Sequence, residues 1–309
     1  MNSNEQDRGL VVAALRHAAP YIRMYKRKTF VVKAGGELFL DAAQTRALLE
    51  QMAILHQVGI RLVLVHGAGP QSTRKSAELG LEPRMVQGRR VTDADTLKVC
   101  EDVNADIRAQ IKATCDELGM LTTGLVGAEG PVRASKRPPA DMGADGQVDF
   151  GFVGDIDSID AEAVQTCLDA GTVPVISPLG YGEAEQSLLN INADTIAATL
   201  AAELHAEKLI LATSALGIFE DISDKGSLVS YTDLAGLNRL RENGSLADGM
   251  LPKAKAIELA VEGGVPRVHV ISYAVTDGLL LEIFTNEGTG TLVVKSIAAL
   301  TAEEQSAGA

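Results

Sequence analysis

Four short stretches place a charged or amide side chain beside glycine at the end of an apolar run. The first is Lys33-Ala-Gly35-Gly36, which closes the strand-like run Thr29-Phe-Val-Val-Lys33. A lysine ending an apolar strand carries a large desolvation cost unless its ammonium reaches a crevice. Open α/β sheets bind ligands in the crevice beyond their strand ends. Glycines there let the backbone approach a phosphate and aim N–H groups at it. The same residues also read as an ordinary strand-end turn with a solvent-facing lysine. The second stretch, His66-Gly67-Ala68-Gly69-Pro70, ends Arg61-Leu-Val-Leu-Val65 and leads into a helix. Backbone donors at that helix start can hold anionic oxygens without a positive side chain. A plain tight turn is the alternative, but two such turns on successive strands strengthen the anion-site reading.

The third stretch is Asn190-Ile-Asn192-Ala-Asp194-Thr195, which opens the helix TIAATLAAEL. Asn192 or Asp194 would cap that helix by accepting its free N–H groups. One cap needs only one such side chain, and a carboxylate placed here could also orient a pair of lysines. The fourth is Asp248-Gly249-Met-Leu-Pro-Lys253. Pro252 suits a first helical turn. Lys253 opposes the helix dipole there, which invites an anionic partner, although a plain surface position explains it equally well.

Several chemistries are excluded. There is no GxxxxGK[ST] loop, no GxGxxG followed by an acidic residue after the next strand, and no GxSxG elbow. His66 alone among the histidines adjoins one of the four stretches, while His17, His56, His205 and His269 are scattered. No His/Cys/carboxylate cluster has metal-ligand spacing, so no protein-held metal is predicted. The charge, 28 minus 41, is -13, which disfavours nucleic acid and anionic membranes as partners. Aromatics make up 4% with no tryptophan, too few for a base-stacking platform. The three cysteines, a polar N-terminus without a leader pattern and the lack of any run near 18 apolar residues point to the cytoplasm.

The elements that must position these residues alternate. Helices are predicted over 11–25, 42–58, 70–79, 95–118, 194–205, 252–262 and 277–284. Strands are predicted at 29–33, 61–65, 173–177, 208–212, 267–271 and 291–294. Residues 121–155 break into short β pieces around a polar section, 134–146, that reads as a hairpin or flap. The stretch 213–250 reads as loop-rich and the tail from Thr301 as frayed. Strand, glycine turn and helix in alternation predict an α/β fold, a largely parallel sheet covered on both faces.

The chain resembles acetylglutamate kinases of the amino-acid kinase family from about Gly9 to Val294. The resemblance is carried by AAPYIRMYKRKTFVVKAGGE, GIRLVLVHGAGPQ, GRRVTDADTL, GFVGDIDSID, VPVISPLG, LNINADTIAATLAAEL, AEKLILATSALGI, GMLPKAKA and LLLEIFTNEGTGTLVV. The same motifs resemble the kinase-like domain of N-acetylglutamate synthases, and RHAAPYI and VHVISYAVTDG are closer to that branch. The resemblance implies a three-layer α-β-α sandwich with a mainly parallel central sheet. It implies one kinase domain over 1–309, with a lobe at 9–185 for an acyl amino acid and one at 186–296 for the nucleotide. The implied reaction is ATP-dependent phosphorylation of the γ-carboxylate of N-acetyl-L-glutamate in arginine biosynthesis, with Mg2+ carried by the phosphates of ATP.

Matched residue by residue, Lys33 and Lys253 correspond to the family's two catalytic lysines and Asp194 to the aspartate that orients them. Gly35, Gly36, Gly67, Ala68 and Gly69 match the phosphate cradle. Thr213, Ser214, Gly217 and Gly249 fall on the nucleotide side. Gly67 and Ala68, with Arg90, Asn190 and Asn192, match the side that holds the acyl amino acid. The first helix resembles the extension that interlaces dimers into hexamers, and Glu282 and Gly288 fall in the region of an inhibitory L-arginine site. The chain departs from the family at Ala68, a usual glycine, at Ser214, a usual aspartate, at Asp248, a usual glycine, and at Ile271-Ser-Tyr. The alternative reading is a non-catalytic arginine-sensing or partner-binding module. The kinase-like region fills 309 residues, so an acetyltransferase activity would need a separate polypeptide.

Overall fold

The computed structural model describes residues 3–299 apart from 83, 87–88, 247–248 and 286–287, so Asp248 and the tail from Thr301 lie outside the described residues. Helix α1 (Ser3–Tyr25) leads into strand β1 (Thr29–Ala34). A 3-10 turn (Gly36–Leu40) and α2 (Ala42–Gln57) then return the chain to β2 (Arg61–His66). Asp41 caps α2 by accepting from the amides of Ala43 and Gln44. β1 and β2 are parallel neighbours, with Lys33 opposite Val65 and Ala34 opposite His66. The two glycine turns therefore leave the sheet side by side, because each ends a strand in the same register.

Beyond β2 come α3 (Gly69–Glu78), the ribbon β3 (Met85–Val86) and β4 (Arg89–Arg90), α4 (Ala94–Glu117) and β5 (Thr122–Leu125). Next are β6 (Val132–Lys136), the short ribbon β7 (Ala140–Asp141) and β8 (Gln147–Val148), β9 (Gly154–Ile159) and α5 (Ala161–Asp169). β10 (Val173–Ile176), β11 (Leu179–Gly182), β12 (Ser187–Asn190) and α6 (Ala193–Glu203) follow. The last third contains β13 (Lys208–Thr213), β14 (Tyr231–Asp233), α7 (Leu234–Glu242), α8 (Leu251–Glu262), β15 (Arg267–Ser272), α9 (Gly278–Phe284) and β16 (Thr291–Val294).

Eight strands form the main sheet in the order β14-β16-β15-β13-β1-β2-β10-β5, and only the β15–β16 pair is antiparallel. A second sheet, β12-β11-β6-β9, stands apart from it. Alternation along β1 sorts side chains onto two faces. Phe30, Val32 and Ala34 join the core under α2, α4 and α9, while Val31 joins the core under α6 and α8. This is the three-layer α/β architecture expected from the sequence. Lys33 has the same parity as Val31, so it faces α6 and α8.

Those two helices pack closely because their contact is built from small residues, Ala197, Ala198 and Ala201 on one and Ala254, Ala256 and Ala260 on the other. At their far ends a Cβ on Gly263 would lie 2.6 Å from that of Ala202. Close packing holds their N-termini together at the end of β1.

The structure corrects several expectations. α1 begins at Ser3 rather than residue 11, through polar residues that no apolar period marks. Its apolar side is not buried against the sheet: Leu10, Val11 and Leu15 are 71%, 60% and 62% exposed. Its last turns dock through buried Tyr25 and an edge-on contact of Tyr21 with Phe284. The loop-rich reading of 213–250 missed β14 and α7. α7 has a narrow apolar stripe, Leu237 and Leu240, and is capped by Asp233 accepting from the Gly236 amide. The antiparallel β11–β12 hairpin was also missed, because Leu179-Gly-Tyr-Gly182 carries turn residues rather than strand formers. The section 134–146 runs from β6 through β7 into a turn, and β7 pairs with β8 just beyond it as a short hairpin.

Candidate active site

Lys33, Asp194 and Lys253 meet where β1 ends and α6 and α8 begin. Lys33 Nζ lies 2.8 Å from Asp194 Oδ1, and Lys253 Nζ donates to Asp194 Oδ2 at 3.4 Å. Their side chains are only 8%, 8% and 13% exposed in the order Lys33, Asp194, Lys253, so the charges have little water to stabilise them. Two cations and one anion leave a positive surplus at two helix N-termini, an arrangement that attracts anions. Burial pushes the Asp194 carboxyl up, but the ammoniums of Lys33 and Lys253 outweigh it and hold the group below the usual carboxylate range. Lys253 is driven below the ordinary lysine value, first by burial and then by Lys33, against the pull of Asp194.

The two glycine turns form one surface beside this triad. A Cβ on Gly67 would sit 2.8 Å from the amide nitrogen of Gly36, and one on Gly36 would sit 2.9 Å from the Pro70 ring and 3.2 Å from the Ala68 amide nitrogen. Close backbone packing therefore accounts for both glycines. Gln71 bridges the turns by donating from Nε2 to Gly36 O at 2.7 Å. Ala68 has φ -145, outside the positive range that calls for glycine, so an alanine can stand there. α3 starts at Gly69, whose surroundings are open, and its first-turn amides have no acceptor within the helix. Behind the second turn, His66 is buried, with Nε2 3.0 Å from Ser177 Oγ; Arg108 donates to the same oxygen at 2.7 Å. Burial takes His66 down to about 4, so the ring is neutral near pH 7 and serves as wall rather than charge.

On one flank, Arg90 donates from Nη2 to Gly69 O at 3.2 Å and to Thr73 Oγ1 at 2.5 Å, while its buried Nη1 has no protein partner. Asn190 donates to Thr92 Oγ1 at 3.3 Å, tying β12 to the segment that carries Arg90. Asn192 is the cap of α6, accepting from the Thr195 amide at 3.0 Å. This leaves Asp194 to the lysines and settles which of the two side chains caps.

On the other flank, Thr213 and Ser214 end β13 beside β1. Gly217 is buried, and a Cβ there would lie 2.6 Å from Thr291 Oγ1 and 2.8 Å from Leu228 Cδ1. Packing alone requires this glycine. Gly249 is exposed with open space around it. A cavity of about 70 Å³ lies between Ala215, Ile218, Phe219, Ile222 and Met250. That is well below the roughly 300 Å³ of an ordinary ligand pocket.

Glu282 and Gly288 are brought together on a different part of the molecule. Glu282 is buried, pairs with His269 Nδ1 at 2.6 Å and accepts from the Thr289 amide at 2.6 Å. Gly288 has φ +60, and a Cβ there would lie 3.4 Å from Glu282 Oε2. His269 Nε2 faces Lys208 Nζ at 2.9 Å, and Lys208 lies 5.2 Å from the Tyr25 ring centre at the end of α1. Burial opposes ionisation of Glu282, but His269 and the Thr289 amide bring it down to about 2. Lys208 and His269 were not singled out from the sequence. Each lies in an apolar strand, and only pairing in the sheet reveals that they meet.

Residues 28–272 match the model of the amino acid kinase family. An acetylglutamate kinase of Myxococcus xanthus is 43% identical over 290 residues, spanning 92% of this chain and 94% of its own. Two structures of N-acetylglutamate synthase from Neisseria gonorrhoeae superpose with a TM-score of 0.82. One was determined with coenzyme A and N-acetyl-glutamate (30% identity) and the other with coenzyme A and L-arginine (29%). Both cover 92% of this chain, which spans only 63% and 65% of those synthases. With two adjoining glycine turns, a buried lysine–aspartate–lysine group and a family match over most of its length, the chain belongs to the amino acid kinase family.

Proposed function

We propose that the protein transfers the γ-phosphoryl group of ATP to the γ-carboxylate of N-acetyl-L-glutamate. The observation that carries this reading is the pair of ammoniums on the one Asp194 carboxylate, beside two glycine turns. The transfer brings together two anions that repel each other, so charge neutralisation and alignment supply most of the catalysis. Lys33 and Lys253 neutralise the equatorial oxygens, Asp194 fixes their direction, and the amides of Gly36 and Gly69 hold phosphate oxygens. The acceptor carboxylate is already a nucleophile. Its oxygen bonds to phosphorus as the bond to ADP breaks, and no general base is needed. The neutral wall position of His66 supports a site without proton transfer. Arg90, through its unpartnered Nη1, grips the α-carboxylate of the acyl amino acid, with Asn190, Gly67 and Ala68 beside it.

Thr213, Ser214, Gly217 and Gly249 border the nucleotide, next to the narrow cavity between Ala215 and Met250. Both Asp194 oxygens are committed to lysines, and among the described residues no group of three or more His, Cys, Asp or Glu could hold a metal ion. In this reading a Mg2+ ion would arrive on the nucleotide phosphates, where it would share their charge. ADP release should depend on N-acetyl-L-glutamate in an assay across a panel of acylated acidic amino acids. Turnover with none of them would sink the reading.

A second, overlapping reading is supported by the Lys208–His269–Glu282 chain beside Gly288 and the last turn of α1. We infer that this region binds L-arginine and that the exposed apolar side of α1 joins subunits into a homodimer or hexamer. Calorimetry that detects arginine but no ATP would favour a sensing module over an enzyme. Among the described residues no helix is long and apolar enough to cross a membrane.

A further inference from the structure

Glu37 is a carboxylate that the charge arrangement described so far does not use. It follows Gly35-Gly36 in the 3-10 turn, is exposed, and has no cation at ion-pair distance among the described residues. Its side chain folds back over the first glycine turn, where a Cβ on Gly35 would lie 2.7 Å from Glu37 Oε2. The carboxylate therefore rests on the cradle itself. Its charge reaches Lys253 at the start of α8 and the Tyr273 phenol just beyond β15, and the Tyr273 amide donates to Thr213 O at 3.1 Å. Glu37 thus lies toward the flank formed by Thr213, Tyr273 and Lys253, the flank assigned above to the nucleotide.

The charges of Lys33, Lys253 and Asp194 sum to +1, and Glu37 brings the total to zero. A neutral cradle discriminates against a bare triphosphate and favours one whose charge a divalent cation has partly cancelled. Mg2+ is hard, keeps several waters and is commonly bound by one or two carboxylates together with substrate phosphates. Asp194 cannot serve, because each of its oxygens faces a lysine. Glu37 can approach without giving up a partner. We propose that Glu37 contributes a carboxylate oxygen to the divalent cation that accompanies the nucleotide phosphates, so that the site accepts the cation–nucleotide complex in preference to bare nucleotide. This rests on the nucleotide-binding reading given above.

The test is calorimetric titration of a non-hydrolysable ATP analogue into wild type, Glu37→Gln and Glu37→Asp, each with Mg2+ and with a chelator. Wild type should bind far more tightly with Mg2+. In Glu37→Gln the bare analogue should bind better, and the tightening by Mg2+ should shrink about tenfold. Glu37→Asp should keep part of it. With Mn2+ in place of Mg2+, the electron paramagnetic resonance spectrum of the bound complex should change between wild type and Glu37→Gln, since an oxygen ligand is lost. An equal Mg2+ effect in both proteins overturns the proposal. Better binding of bare analogue with an unchanged Mn2+ spectrum makes Glu37 a repulsive group only, and overturns the ligand role. If neither protein binds the analogue even with Mg2+, the nucleotide reading itself falls, and this proposal with it.

Discussion

Lys33 and Lys253 approach opposite oxygens of a single carboxylate, but not equally: the contacts are 2.8 Å and 3.4 Å, and Lys253 is the more exposed of the two. Repulsion between the ammoniums explains why one contact is slack, since each weakens the hold of Asp194 on the other. Lys253, with its pKa lowered by burial and by Lys33, is the group with most to gain from a phosphate oxygen. An anion between the lysines would complete the charge balance that Asp194 begins.

Removing one lysine should therefore remove catalysis without unfolding the protein. Lys33→Ala is expected to lower kcat by about a thousandfold, the scale of losing one transition-state charge partner. Lys253→Ala should be comparable, with a larger rise in KM for ATP. Steady-state kinetics with circular dichroism as a folding control check this, and an unchanged kcat in Lys33→Ala would remove that residue from the mechanism.

Asp194→Asn leaves two ammoniums facing each other with no anion. Breaking a buried ion pair from one side costs about 3–5 kcal/mol, so the unfolding temperature should fall clearly. Inorganic phosphate should restore part of it by entering between the lysines, and it should restore less in wild type. Thermal unfolding with and without phosphate reads both effects. Equal phosphate effects in the two proteins would count against a shared anion position.

Glycines that look alike in the sequence should respond differently. Gly217→Ala forces a methyl into Thr291 and Leu228, where overpacking costs about 1–3 kcal/mol. Gly249→Ala meets open space and should leave stability unchanged. Any loss of nucleotide affinity in Gly249→Ala then reports on the site itself. Denaturant unfolding and nucleotide titration together separate the two cases.

Much of this was legible in the sequence, and the limits are physical. The alternation of apolar runs with glycine turns identified β1, β2 and their loops, because a buried parallel strand leaves a short continuous apolar signature. The meeting of Lys33, Asp194 and Lys253 entered only through family resemblance. It depends on the parity of Lys33 with Val31 and on the alanine contact between α6 and α8, neither of which local pattern encodes. Spacing could not decide between Asn192 and Asp194 as the cap, since both are suited to it; the second partner on the β1 side decided. The β11–β12 hairpin was hidden because its glycines are required by packing. A Cβ on Gly180 would lie 2.5 Å from Ile191 Cδ1.

The buried His66 should be visible in the acid limb of stability. Its folded value of about 4 lies below the ordinary 6.5, so the unfolded chain takes up a proton that the folded protein refuses. Stability from this group is full above pH 6.5 and is lost as pH falls toward 4, below which it levels off. The shift corresponds to about 3 kcal/mol. His66→Gln cannot titrate and retains an amide able to hydrogen-bond Ser177. It should start less stable at pH 7.5 but lose less on acidification, so the two curves converge toward pH 4. Denaturant unfolding at a series of pH values measures the difference. Parallel curves would mean that the imidazole takes up its proton in the fold as readily as in the open chain, and that burial does not keep it neutral.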